Sequence, residues 1–301
     1  MPLYVRIILF VVILAVAIAL AVWWARRRLA AADIYLKPRT KFGPAFIFTV
    51  EGDDGERVRV LNVGGMYQSA TFLDDDRCYD LVFAYTLLYD KMFEVGADVR
   101  NVLMIGGGGY SYPKHLISSH PEVRMDVVEV DPAITSLASR YFFLDRLIEE
   151  FGTEKDDRLG LVCADGRAFL DERTGQARYD AILNDSFSGK EPVASLASVE
   201  AARSIHGCLA PGGLYLTNVV SALEGEGSGF IRAIVATLGE AFAHVYVIPC
   251  GRDELADRDN NMVIATDSVC DFPDAYDTSG WKLPAALTDA DASARIKELV
   301  R

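Results

Sequence analysis

The chain has 301 residues, with 43 acidic against 30 basic side chains and a formal charge of −13. That balance argues against a general nucleic-acid binder, which needs a basic face, and the length leaves room for one or two domains with a proper core. The five cysteines (Cys78, Cys163, Cys208, Cys250 and Cys270) are scattered without C-x-x-C spacing. Neither a metal site nor a disulfide framework is expected, and a reducing compartment fits best.

Residues from Ile7 to Ala25 are almost wholly apolar, Trp23 and Trp24 stand near the end of the run, and Arg26-Arg27-Arg28 follow. The run approaches the roughly 20 residues that cross a bilayer, and the tryptophans suit an interface belt. Three arginines after the run against Arg6 before it predict a retained single-pass anchor in the cell membrane with the rest of the chain in the cytoplasm. A cleaved signal peptide is the rival, but its charge would precede the apolar core. Residues 1–30 are therefore expected as an anchor, and 31–97 as a linker with a small β unit. In that unit, runs at 45–50 and 57–63 flank the turn Glu51-Gly52-Asp53-Asp54-Gly55 and predict a hairpin, and the apolar spacing from Tyr79 to Phe93 predicts a helix.

From residue 98 to 270 strands and helices alternate. Strands are expected at 102–105, 125–128, 159–163, 179–184, 214–219, 243–249 and 262–266, with helices at 132–148, 197–208 and 228–240. This pattern predicts an α/β fold with a parallel sheet covered on both faces. The last two strands have no helix between them and should close one edge as an antiparallel hairpin. Residues 271–301 read as a polar tail with a final helix near 289–300.

The stretch 101–131 concentrates the chemistry. Gly106-Gly107-Gly108-Gly109 follows an apolar strand, and Glu129 ends the next one. Glycines let backbone N–H groups approach a ligand, and an acid about 20 residues later takes ribose hydroxyls in doubly wound folds. The run is not G-x-G-x-x-G, so a dinucleotide is not favoured. Ligands of open α/β sheets bind beyond the carboxyl ends of the strands, where Asp165-Gly166 and Asp185 also fall. Asp165 either accepts from an adenine amino group or caps the helix after it, and Asp185 either receives a proton, holds a cation or only shapes a turn. The four histidines are isolated, and no metal cluster or G-x-S-x-G motif is present.

Over residues 45–266 the chain resembles the spermidine synthase (aminopropyltransferase) family. The pieces that carry this are 61–69 (Leu-Asn-Val-Gly-Gly-Met-Tyr-Gln-Ser), Tyr79, 102–108, 128–131, 165–170, 179–186 and 209–213. The resemblance implies a small N-terminal β domain before a methyltransferase-like Rossmann domain. The reaction it implies moves an aminopropyl group from decarboxylated S-adenosylmethionine, a co-substrate with no permanent cofactor beside it, to a di- or polyamine. It also implies a homodimer. In that reading Gln68, Gly106, Gly107, Gly108, Glu129, Asp165 and Gly166 hold the nucleoside donor, Asp185 deprotonates or orients the amine, and Tyr79 and Ser188 contact the acceptor. The family's Asp-Ser-x-Asp is Asp185-Ser186-Phe187-Ser188 here, its Tyr-His-Glu is Tyr79-Asp80-Leu81, and Gly109-Tyr110 stands where an Asp usually ends the glycine loop. These departures keep two alternatives open: another S-adenosylmethionine-dependent transferase, such as a methyltransferase, or an inactive nucleoside-binding scaffold.

Overall fold

The computed structural model describes residues 3–31, 33–52, 55–95, 98–188, 191–251 and 255–300. The chain opens with helix α1 (Leu3–Ala31), whose segment Tyr4–Leu29 is long and apolar enough to cross a membrane. Near its end the guanidinium groups of Arg27 and Arg28 lie over the rings of Trp23 and Trp24.

Strands β1 (Tyr35–Thr40), β2 (Gly43–Glu51), β3 (Arg57–Val63) and β4 (Met66–Phe72) form an antiparallel meander. The expected hairpin is its central pair, with Ala45 opposite Val63 and Glu51 opposite Arg57. Residues 53 and 54 of its turn lie outside the described residues. Alternation along β2 and β3 turns Ala45, Ile47, Leu61 and Val63 inward against Ile134, Leu137 and Phe142. That small core fastens the N-terminal sheet to the rest of the molecule.

The helix expected over 79–93 is instead a 3-10 helix at Ala84–Asp90 continuing into one turn, α2 (Lys91–Glu94). The reason is in the burial: Thr86, Tyr89 and Met92 are buried at a three-residue repeat, which suits the tighter helix.

The main domain follows as β5 (Asn101–Ile105), α3 (Ser111–Ser119), β6 (Arg124–Glu129), α4 (Pro132–Tyr141), α5 (Leu144–Phe151), α6 (Thr153–Asp156), β7 (Leu159–Cys163), α7 (Gly166–Arg173) and β8 (Tyr179–Asn184). Then come the two-residue strands β9 (Phe187–Ser188) and β10 (Glu191–Pro192), α8 (Val199–Cys208), β11 (Leu209–Ser221), α9 (Gly229–Leu238), β12 (His244–Pro249), β13 (Asp259–Thr266) and α10 (Ala292–Leu299). Among the described residues one sheet has the order β12-β13-β11-β8-β5-β6-β7. Strands β11, β8, β5, β6 and β7 run parallel, and β13 runs against both of its neighbours. The closing hairpin does form, but β13 inserts between β11 and β12, so β12 is the edge.

The period-2 alternation of β5 divides the core. Leu103 and Ile105 join the apolar layer under α7, α8 and α9, while Val102 and Met104 join the layer under α3 and α5. The helix expected over 132–148 breaks into α4 and α5 at Phe143, which adopts φ 61°. The carbonyl freed at Phe142 accepts from the buried Lys114 side-chain nitrogen at 2.5 Å. The stretch beyond Cys270 is not a loose polar tail: Leu287, Ala292 and Ile296 are buried in the main core, and Asp289 pairs with Arg167.

Candidate active site

The order of strands reverses between β5 and β8, because β6 and β7 lie to one side and β11 to the other. At this switch point Ile105 is level with Asn184, and the backbone N–H of Asp185 donates to the Ile105 carbonyl at 3.0 Å. Gly106 turns the chain away at φ +94°, with its Cα so close that a Cβ would stand 2.7 Å from the Asp185 carbonyl oxygen. Only glycine fits there. The glycine loop and Asp185 are thus held edge to edge.

Glu129 ends β6 and is 6% exposed. Its carboxylate accepts from the backbone N–H groups of Gly107 (2.9 Å), Gly108 (3.4 Å) and Asp131 (2.9 Å). Two carboxylate oxygens offer about four lone-pair directions, so this grip fixes the loop and leaves capacity for a ligand hydroxyl. Asp131, next in line, caps α4 by accepting from the Ala133 N–H at 2.9 Å and also accepts from the Lys41 N–H at 2.6 Å, tying the N-terminal sheet to the rim of the site.

Asp165 caps α7, with the Ala168 N–H donating to its Oδ1 at 3.0 Å. The capping reading is thus realised, and the same side chain also lines the cavity. Gln68 reaches the cavity from β4, which is braced to α3 where Ser69 and Ser111 share a hydroxyl contact at 2.7 Å.

Asp185 itself is enclosed by protein but keeps an edge on the cavity. Tyr85 donates from its hydroxyl to Oδ2 at 2.9 Å, and the Asn218 amide donates to Oδ1 at 3.2 Å. Burial pushes the Asp185 carboxyl above the usual carboxylate range, and the bonds from Asn218 and Tyr85 hold back part of that rise. Burial beside this acid pushes the Tyr85 phenol well up, so it stays a neutral donor.

One cavity open to solvent collects these groups: Gln68, Gly106, Gly107, Gly108, Glu129, Asp165, Gly166 and Asp185 all line it. Tyr79 is not brought to it. Its hydroxyl donates to Glu150 at 2.7 Å and its ring packs on Phe151. Ser188 sits in β9, and its side chain lies outside the described residues. The tyrosine at the acid is Tyr85, which in the sequence merges with the aromatic run around it. Asn218 was legible only as a lone amide inside the apolar strand β11. Among the described residues the charged ones in the lining are Glu129, Asp165, Asp185 and Arg167, and the Arg167 guanidinium is already bound to Asp171 and Asp289.

Residues 89–249 match the family model described as the spermine/spermidine synthase domain. Similar curated proteins include a polyamine aminopropyltransferase of Chromobacterium violaceum, 27% identical over 184 residues, which are 61% of this chain and 64% of that protein. Polyamine aminopropyltransferase 2 of Hyperthermus butylicus is 31% identical over 126 residues, 40% of this chain and 39% of that one. The matched part spans less than two thirds of the length of each. Among solved structures, a probable spermidine synthase from Corynebacterium glutamicum superposes with a TM-score of 0.64 at 20% identity, covering 88% of this chain and 93% of that one. A spermidine synthase in complex with the transition-state analogue AdoDATO gives 0.60 at 18% identity, covering 89% and 88%. At these identities the likeness is one of fold.

Proposed function

The chain belongs to the spermine/spermidine synthase family, and on that premise we propose that it transfers an aminopropyl group from decarboxylated S-adenosylmethionine to an amine. The observation that carries this reading is the shared cavity: a glycine loop and two acids suited to a nucleoside, with a half-buried acid of raised pKa beside them. Glu129 takes the ribose hydroxyls, Asp165 and Gln68 stand by the base, and the turn at Gly106 sets the donor's reacting carbon near Asp185. The amine nitrogen attacks the CH₂ bonded to the sulfonium, the C–S bond breaks, and methylthioadenosine leaves as the N–C bond forms. Asp185 takes the proton the nitrogen must lose. The donor arrives activated, so the chain's main task is alignment, with proton removal as its chemical share.

The charges of the cavity favour this donor over S-adenosylmethionine itself. Three carboxylates face one guanidinium that is already engaged. That environment suits a sulfonium and an aminopropyl ammonium, and among the described residues it offers no free side-chain cation for the carboxylate of the undecarboxylated donor. In the same proposal α1 anchors the enzyme in the membrane with the cavity on the cytoplasmic side, and two chains pair as a homodimer.

Incubating the protein with each donor and a panel of amines, followed by mass spectrometry of the nucleoside products, tests the reaction. Methylthioadenosine from the decarboxylated donor is expected. Release of S-adenosylhomocysteine instead would mean methyl transfer, and no product from either donor would leave only a scaffold.

A further inference from the structure

Gly109-Tyr110 closes the glycine loop in place of the family's usual Asp, and no step of the proposed reaction uses the tyrosine. Tyr110 is fully buried, and its backbone lies in the left-handed region at φ 56° and ψ 32°. That region is uncommon for a bulky side chain, and residues held there cluster at functional sites. The Tyr110 N–H donates to the Gly107 carbonyl at 2.8 Å, so the loop folds back and lays the tyrosine ring against Gly107. A Cβ on Gly107 would stand 2.7 Å from that ring. Gly106 and Gly108 adopt positive φ and Gly107 does not. The missing side chain of Gly107 therefore makes room for the ring and is not required by its backbone.

The ring belongs to a closed circuit around Glu129. Glu129 Oε2 accepts from the Gly107 N–H and Oε1 from the Asp131 N–H, each at 2.9 Å. Asp131 caps α4, and Thr135 stands one turn further along that helix. The hydroxyls of Thr135 and Tyr110 share a hydrogen bond at 2.9 Å, and the tyrosine ring leads back to Gly107. Burial pushes the Tyr110 phenol up to about 12 against the bond to Thr135, and the Glu129 charge adds to the rise, so the side chain stays neutral. Neither Tyr110 nor Thr135 is part of the cavity's lining, so their effect on a ligand there passes through Gly107 and Glu129.

We propose that Tyr110 is a positioning residue for the donor's ribose: its ring props Gly107 and its hydroxyl ties that prop to α4, so that Glu129 is held with its remaining lone pairs toward the ribose hydroxyls. The inference rests on the proposed reading of Glu129 as the group that takes those hydroxyls. The physical ground is geometric. Hydrogen bonds weaken steeply away from linearity, so a carboxylate discriminates between neighbouring hydroxyls only when its own rotation is stopped. A group fixed in advance also loses less freedom on binding. The N–H groups of Gly107 and Asp131 stop that rotation only while the loop and α4 keep their spacing, and the Tyr110 side chain is the strut between them.

Calorimetric titration of methylthioadenosine and of its 2′-deoxy counterpart into the full chain reads the ribose contact as a ratio of affinities. The wild type is expected to favour the ribonucleoside by about tenfold or more. Tyr110→Phe, which keeps the ring and frees it from Thr135, is expected to narrow that ratio by about threefold, and Tyr110→Leu to bring it within about twofold of unity. Thr135→Val cuts the same tie from the helix and leaves the loop's own sequence intact, so it should match Tyr110→Phe, and the two combined should narrow the ratio no further. A merely structural role would lower the melting temperature and weaken both nucleosides alike. An unchanged ratio in folded Tyr110→Phe and Thr135→Val overturns the inference while the reading of Glu129 stands. If the wild type binds the two nucleosides equally, or binds neither, the reading of Glu129 fails and the inference falls with it.

Discussion

Tyr85 donates its hydroxyl to Asp185 Oδ2 at 2.9 Å across 100 residues of sequence, joining the short 3-10 helix to the acid at the switch point of the sheet. The bond stabilises the ionised carboxylate against the burial that opposes it. Tyr85→Phe removes the donor and leaves burial unopposed on that side, so the Asp185 pKa rises further. The acid limb of the kcat/KM–pH profile should move to higher pH, with kcat/KM lower by about tenfold near neutrality, the equivalent of one hydrogen bond to a charged group. An unchanged acid limb would separate Asp185 from the proton transfer.

Asp185→Asn should trade function for stability. A carboxyl whose folded pKa lies above its unfolded value contributes stability that is lost as pH rises through the folded pKa. At neutral pH the ionised Asp185 is therefore a burden on the fold. The amide accepts from Asn218, and the Tyr85 hydroxyl can rotate to accept from it. The variant should lose aminopropyl transfer and melt roughly 2–4 °C higher at pH 7, with the gain vanishing as pH falls below the ordinary carboxylate range. Calorimetry at several pH values checks this.

Lys114 makes a second pH signature, away from the cavity chemistry. It is 1% exposed and donates to Thr71, to the Cys78 carbonyl and to the Phe142 carbonyl, so it pins β4 and the α4–α5 break to α3. Burial pushes its pKa down to about 7 from 10.5. Between those two values the unfolded chain keeps a proton that the folded chain has released, so stability rises with pH across that window. Melting temperature should climb from pH 7 to pH 9 in the wild type, and Lys114→Met should flatten the climb.

Tyr79 and Gln68 separate motif from geometry. Tyr79→Phe removes a bond to Glu150 at the surface, and the cost should stay under about 1 kcal/mol, with kcat/KM within about twofold of wild type. Gln68→Ala, at the cavity wall, should weaken binding of methylthioadenosine by about tenfold. Isothermal titration of both variants distinguishes them, and a large catalytic loss in Tyr79→Phe would show that the acceptor reaches further than the cavity.

Much of the architecture was legible locally. The run at 102–105 is a strand buried on both faces and apolar at every position, and those at 125–128 and 179–184 keep the pattern except at Asp126, Asp180 and Asn184. The acids at their ends were placed by the rule that such sheets present ligand groups at their carboxyl edges. Hence Gly106, Glu129, Asp165 and Asp185 could be put near one cleft from spacing alone, and they do line one cavity. The break at Phe143 was not legible, since no Pro or Gly marks it and the partner that takes the freed carbonyl, Lys114, is 28 residues away. The insertion of β13 was equally hidden, because a hairpin pattern states that two strands pair and is silent on which of them meets the sheet.

The sequence by itself determined the periods, the strand ends and the kinds of side chain at those ends, because each depends on neighbours a few residues apart. The tertiary structure alone decided which tyrosine meets the acid, which asparagine holds it, and that Leu287, Ala292 and Ile296 belong to the core. Those outcomes turn on burial and on contacts between residues tens to a hundred positions apart, and no local pattern encodes either.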